Sequence, residues 1–70
     1  MHKIPDDAGE GWTRFDGTNQ PADGDELCKV VTVGQSEGNY WESYTYPVKN
    51  LDWSIEGDEG DIIAFRLVGK

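Results

Sequence analysis

Gly60-Asp61-Ile62-Ile63-Ala64-Phe65-Arg66-Leu67-Val68 is the stretch on which the fold turns. It is β-branched and aromatic, has glycine at its start and just beyond its end, and carries one charge inside its apolar run. Such a run reads as a strand occupied on both faces, hence a central strand of a small sheet. Ile63, Phe65 and Leu67 form one continuous apolar face by alternation. Ile62, Ala64, Arg66 and Val68 form a mixed face, on which Arg66 must reach water or a carboxylate. Glu42 is the expected partner, because opposite charges on neighbouring strands pair readily.

Around that strand the chain has little material to spend. Seventy residues make one domain, and a chain of this size buries only roughly 60% of its unfolded surface. A deep substrate pocket with walls does not fit such a core, so the expectation is a protein that is not an enzyme and carries no cofactor. Three Trp, three Tyr and two Phe offset the small size, since each large ring removes much apolar area from water. The expected core is Trp12, Phe15, Val31, Val33, Trp53, Ile55, Ile63, Phe65 and Leu67.

Upstream, residues 1–11 hold Pro5, several acids and two glycines, and read as a flexible N-terminal arm before a single β-domain over 12–70. Trp12 and Phe15 are three apart and cannot share one face of a regular strand; a bulge or strand end near Phe15, before the Asp16-Gly17 turn, would reconcile them. Residues 18–26 are turn chemistry throughout, with Asn19, Pro21, Asp23, Gly24 and Asp25. The segment 27–33 is a second strand, with Leu27, Val31 and Val33 on one face. Residues 34–39 read as a polar loop too short for a helix. Residues 40–46 read as a third strand with a tyrosine ladder, Tyr40, Tyr44 and Tyr46, ended by Pro47. Leu51, Trp53 and Ile55 mark a fourth strand, and 56–60 turn into the last. The whole predicts an all-β domain: a small antiparallel sheet of four to five strands, strongly curved or barrel-like.

The charge excludes several partners. Fourteen acids against six Lys and Arg leave a net charge of −8, which repels nucleic acid and anionic membranes. No apolar run reaches membrane-spanning length and no signal peptide is read at the start. Cys28 is the lone cysteine, which cannot form an internal disulfide and fits a reducing cytoplasm. As a nucleophile it lacks support, because the only histidine, His2, lies near the terminus.

The acids read as no metal ligand set. The turns 23–26 and 56–61 each lack the ligand series and flanking helices of an EF-hand; together they would form a weak cation site only if they met at one end of the sheet. Paired carboxylates suited to glycoside hydrolysis have no groove here, and no phosphate-cradling glycine loop is present. What stands out is geometric. Asp23, Asp25, Glu26, Glu56, Asp58, Glu59 and Asp61 sit in turns, free to point outward as negative contacts. Carboxylates held on a rigid β scaffold can imitate a duplex phosphate array and so engage a Lys/Arg-lined channel.

Gly11-Trp12-Thr13-Arg14-Phe15-Asp16-Gly17, Pro21, a Val-rich strand, Trp53 and the closing Gly60-Asp61-Ile62-Ile63-Ala64-Phe65-Arg66 resemble a group of small phage- and prophage-encoded proteins. In that group a Trp-x-x-aromatic-Asn/Asp-Gly start and an Asp-Ile-Ile-Ala-aromatic-Arg end bracket an all-β domain. The resemblance implies an accessory protein in the cytoplasm of a bacterial host, and a class in which acidic inhibitors of host defence occur, some anti-CRISPR proteins among them. It brings no catalytic residues. The expected partner is a basic, nucleic-acid-binding host protein. Two further readings stay open: a structural or self-associating phage protein, pairing as a homodimer through the 40–46 edge, and a small-ligand-binding module.

Overall fold

The computed structural model describes residues 2–17, 20–42 and 44–68. Met1 of the arm, Thr18 and Asn19 of the turn segment, Ser43 of the third predicted strand and residues 69–70 of the domain lie outside them. Four antiparallel strands form one sheet: β1 (Thr13–Arg14), β2 (Leu27–Thr32), β3 (Tyr46–Pro47) and β4 (Ile62–Leu67), in the order β1-β4-β2-β3. The quoted stretch is a central strand, flanked by β1 and β2 as its two-sided apolar character requires. The sheet is open, with β1 and β3 as its edges, and neither closes into a barrel nor curls strongly, contrary to the barrel-like expectation. Its edge strands are two residues each, too short to bend round and meet.

Each face of the sheet carries its own small core. On one face Cys28, Ile62, Val30 and Phe65 lie under Phe15, Val48, Leu51 and Trp53. On the other, Val31, Ala64 and Ile63 lie under Ile4, Ala8, Trp12 and Trp41. Strict alternation would place Ile63 with Phe65. A register shift between Val31 and Thr32 sets one residue of β2 against two of β4, and this bulge returns Ile62 to the Phe65 side and Ile63 to the Ala64 side. Trp12 and Phe15 need no reconciling: three apart, they cover opposite faces. Trp53 anchors the first core, edge-on to Phe15 at 5.2 Å and to Phe65 at 6.0 Å, with its indole N–H donated to the Val48 carbonyl at 2.9 Å. The segment read as an arm packs Pro5 and Ala8 out of solvent around a single 3₁₀ turn, Asp6–Ala8.

Several local expectations are overturned. Val33 opens no strand face; it begins a six-residue helix, α1 (Val33–Gly38). Thr32 and Gln35 close a capping box over its first turn, and Asn39 ends it in the left-handed conformation at φ 53°. Of the described residues within 40–46, only Tyr46 belongs to a strand, as the start of β3, and residues 51–55 form no strand. Trp41 explains the first result. Val68 N–H donates to the Leu27 carbonyl, so alternation turns the Val30 carbonyl away from β4. The Trp41 indole caps it at 3.0 Å, where a strand partner would have stood. Leu67 and Ile55, assigned to the core, are 44% and 53% exposed.

Arg66 does not meet Glu42. It sits opposite Lys29 across β2 and β4, a like-charge pairing that is unfavourable unless each cation finds its own partner. Each does. Arg66 stacks 5.0 Å from the Trp12 ring and donates to the Glu10 carbonyl, while Lys29 lies 5.7 Å from Trp41. The two indoles meet edge-on at 5.4 Å, so one aromatic pair shields both charges.

Candidate functional site

The two acidic turns stand apart on the sheet. The turn 23–26 feeds the start of β2, and the turn 56–61 feeds the start of β4, beside the end of β2. Since β2 has six residues, the two lie roughly 16 Å apart along the strand at 3.3 Å per residue. The weak cation site that needed them at one end is therefore not formed. Among the described residues, no group of three or more His, Cys, Asp or Glu is placed to hold a metal ion.

At the 23–26 end the charge is partly answered. The Glu26 N–H closes a turn onto the Asp23 carbonyl, and Lys49 lies 3.3 Å from the Asp25 carboxylate. Asp23 and Asp25 are exposed, and Glu26 is half-buried.

The 56–61 end is more concentrated and more rigid. Asp61 is only 7% exposed. One of its oxygens accepts the Glu56 N–H at 3.0 Å and the other the Gly57 N–H at 2.8 Å. Gly57 permits this with φ 81°, a conformation that suits glycine. Asp61 also donates its N–H to the Asp58 carbonyl, and its own carbonyl takes the Val33 N–H. The Asp58 side chain accepts from the Gly60 N–H at 2.8 Å, and the Glu59 carbonyl accepts from Gly34. Asp61 thus holds the loop from within and is not a displayed contact, whereas Glu56, Asp58 and Glu59 are exposed upon it.

Two acids outside the predicted set join this pole. Glu37 of α1 borders the same hollow as Asp58, Glu59 and His2. Asp52 accepts both the N–H and the hydroxyl of Ser54, at 3.0 and 2.6 Å, and these bonds hold its carboxyl below the usual range. Glu56 is pushed the other way, chiefly by the charges of Asp52 and Asp58. The Asp52-x-Ser54 spacing is the local signal for the first arrangement, because Asp side chains bond the backbone two residues on.

Beside the acidic pole lies an open cleft of about 520 Å³, with Phe15, Val33, Ile55, Ile62 and Ile63 in its lining. Gly17, at φ 83°, lets the β1 turn pass close to Ile55: a Cβ there would stand 3.1 Å from the Ile55 side chain. Cys28 contributes nothing reactive to either surface. It is fully buried in the sheet, and burial raises its thiol pKa, disfavouring the thiolate.

Fold and surface together define a small, mainly β protein with one strongly acidic pole beside an apolar cleft. No family model, curated protein or solved structure matches the chain.

Proposed function

We propose that this chain is a non-catalytic binding module that docks its acidic pole on a basic surface of another protein. The observation that carries the reading is the crowding of carboxylates around Glu56. Asp52 and Asp58 repel its charge enough to raise its pKa, and the Asp61 clamp keeps the loop from relaxing that repulsion. A Lys/Arg-rich partner relieves it, which favours association and steers encounter. The resemblance of residues 11–17 and 60–66 to phage and prophage proteins points the proposal toward a nucleic-acid-handling defence protein of a bacterial host. The carboxylates would there imitate a phosphate array in the host cytoplasm. Of the seven acids first singled out, Glu56, Asp58 and Glu59 are the proposed contacts at this pole. Asp23, Asp25 and Glu26 form a second, weaker candidate.

The test is capture from bacterial host lysate, eluted with a salt gradient, run beside a variant carrying Glu56→Gln, Asp58→Asn and Glu59→Gln. A basic partner that elutes at moderate salt and is lost with the variant supports the reading. Equal capture by both proteins, or retention through high salt, refutes it.

A second reading is favoured by the exposure of Tyr40, Tyr44 and Tyr46, with the last two rings 6.3 Å apart. It is self-association through this edge as a structural protein. The two-residue β3, one residue of which is a proline without an N–H, offers little backbone for strand addition. Sedimentation that shows a monomer at high concentration removes it.

A further inference from the structure

We infer that the apolar cleft beside the acidic pole receives one bulky apolar side chain of the partner, so that the recognised element is an apolar residue flanked by Lys or Arg. This rests on the docking role proposed above for the pole and specifies the partner's chemistry.

Three observations carry it. Ile55 is 53% exposed although it lies in the chain segment that crosses the first core between Trp53 and the acidic turn. Its side chain stands at the cleft with Val33 of α1, Phe15 after β1, and Ile62 and Ile63 of β4, so that three other parts of the fold join it there. An apolar concavity of this size falls within the range that accommodates a ligand group, and it is more selective than a flat charged surface.

The second observation is charge. Asp61 lines the cleft, and Glu56 is its neighbour through the clamp. Arg14 and His2 stand among the lining residues as well, with the Arg14 guanidinium donating to the His2 carbonyl. The rim is therefore polar in both senses, with Asp16 and Asp61 beside Arg14 and His2, and the exposed carboxylates of Glu56, Asp58 and Glu59 stand on the adjoining loop, outside the cleft itself. That polarity fixes the orientation: basic residues lie over the loop while the apolar side chain enters the cleft.

The third observation excludes the main competitors. A second copy would bring two acidic poles together at a net charge of −8 each, and nucleic acid would meet the same repulsion. A basic protein segment supplies both the apolar group and the opposite charge. The expected division of labour follows from general interface physics: the buried anchor sets dissociation, and the surrounding charges set association rate and salt sensitivity.

The experiment uses the full chain and three synthetic twelve-residue peptides, followed by methyl NMR titration. The first peptide has a central Leu between Lys/Arg flanks, the second replaces that Leu by Gly, and the third keeps Leu but replaces every Lys and Arg by Gln. The expected result is that the first peptide shifts the methyls of Val33, Ile55 and Ile63 and binds about tenfold more tightly than the second. Ile55→Ala, a substitution at an exposed position, should remove that advantage and leave the second peptide's binding unchanged. Equal binding by the first two peptides, with shifts confined to the 56–61 loop, overturns the inference and leaves the proposed function standing. Equal binding by the first and third peptides, or none by either basic peptide, overturns both. Concentration-dependent shifts of the same methyls without peptide would assign the cleft to a second copy and overturn the inference.

Discussion

Asp61 is the residue at which sequence and structure part most sharply. Within the run Glu56-Gly57-Asp58-Glu59-Gly60-Asp61 every acid has the same local claim to solvent. Only the return of the chain onto itself selects the last as the buried acceptor of two N–H groups. Charge-assisted hydrogen bonds are worth more than neutral ones, and removing the acceptor leaves two donors of a tight loop without partners. Asp61→Ala is expected to destabilise the fold by about 2–3 kcal/mol, read as a lower urea midpoint. Asp61→Asn, which retains one acceptor oxygen, should lie between it and the parent. Neighbouring Glu56 behaves oppositely. Its folded pKa is raised by Asp52 and Asp58, so in the window above the usual glutamate value of about 4.3 the folded state holds more protons than the unfolded. Stability from this group therefore falls as pH rises through that window. Asp52, held low by Ser54, contributes stability that is lost only as pH falls through its depressed pKa. Glu56→Gln, which removes the charge that Asp52 and Asp58 repel, should melt higher than the parent at neutral pH. That advantage should shrink as pH is lowered through the raised Glu56 pKa, and thermal melts at a series of pH values check it.

At the scale of elements, the central strand was legible because its signal is tertiary environment written as composition: apolar residues on both faces announce cover on both faces. What composition could not announce was the bulge that exchanges Ile62 and Ile63 between faces, because it depends on pairing with Thr32. The helix is a different case. Thr32-x-x-Gln35 was present as a capping box, but the two glycines within Val33–Gly38 lower helix propensity and mask it. Thr32→Ala should cost about 1 kcal/mol, with the loss of amide-exchange protection concentrated in α1. The tyrosine alternation over 40–46 misled because alternation reports what a strand would bury, not whether its backbone has a partner. Trp41 takes the position at Val30 with its side chain instead. Trp41→Phe keeps most of the packing and removes the donor. It should cost about 1–2 kcal/mol and loosen β2 on its β3 side, visible as faster exchange there than along the β4 side.

At the scale of the whole molecule, a Cα radius of gyration of 11.1 Å equals the roughly 11 Å of a compact 70-residue domain. The long irregular segments are therefore packed over the sheet, one set on each face. This is how so short a chain covers a central sheet on both sides, with no second layer of strands or helices among the described residues. It also separates the charge. Because β2 runs the length of the sheet, the turns at its two ends cannot act on one small patch of a partner. Sequence could assign the seven acids to two turns but could not set those turns at opposite ends of β2, since that placement is a property of topology. The proposed function gains a quantitative consequence from that placement. Neutralising Glu56, Asp58 and Glu59 together should abolish binding to the basic partner. Neutralising Asp23, Asp25 and Glu26 together should leave a complex of nearly the same affinity, altered mainly in association rate. Against the first Lys/Arg-flanked peptide, the parent's binding should weaken steeply between low and physiological salt, where screening shortens from roughly 30 to 8 Å. The variant lacking the 23–26 acids should retain that steepness, and the variant lacking the 56–59 acids should lose it along with most of its affinity. Equal losses from the two triple variants would mean that the negative field acts as a whole-molecule property, and the pole would then have no claim to be the site.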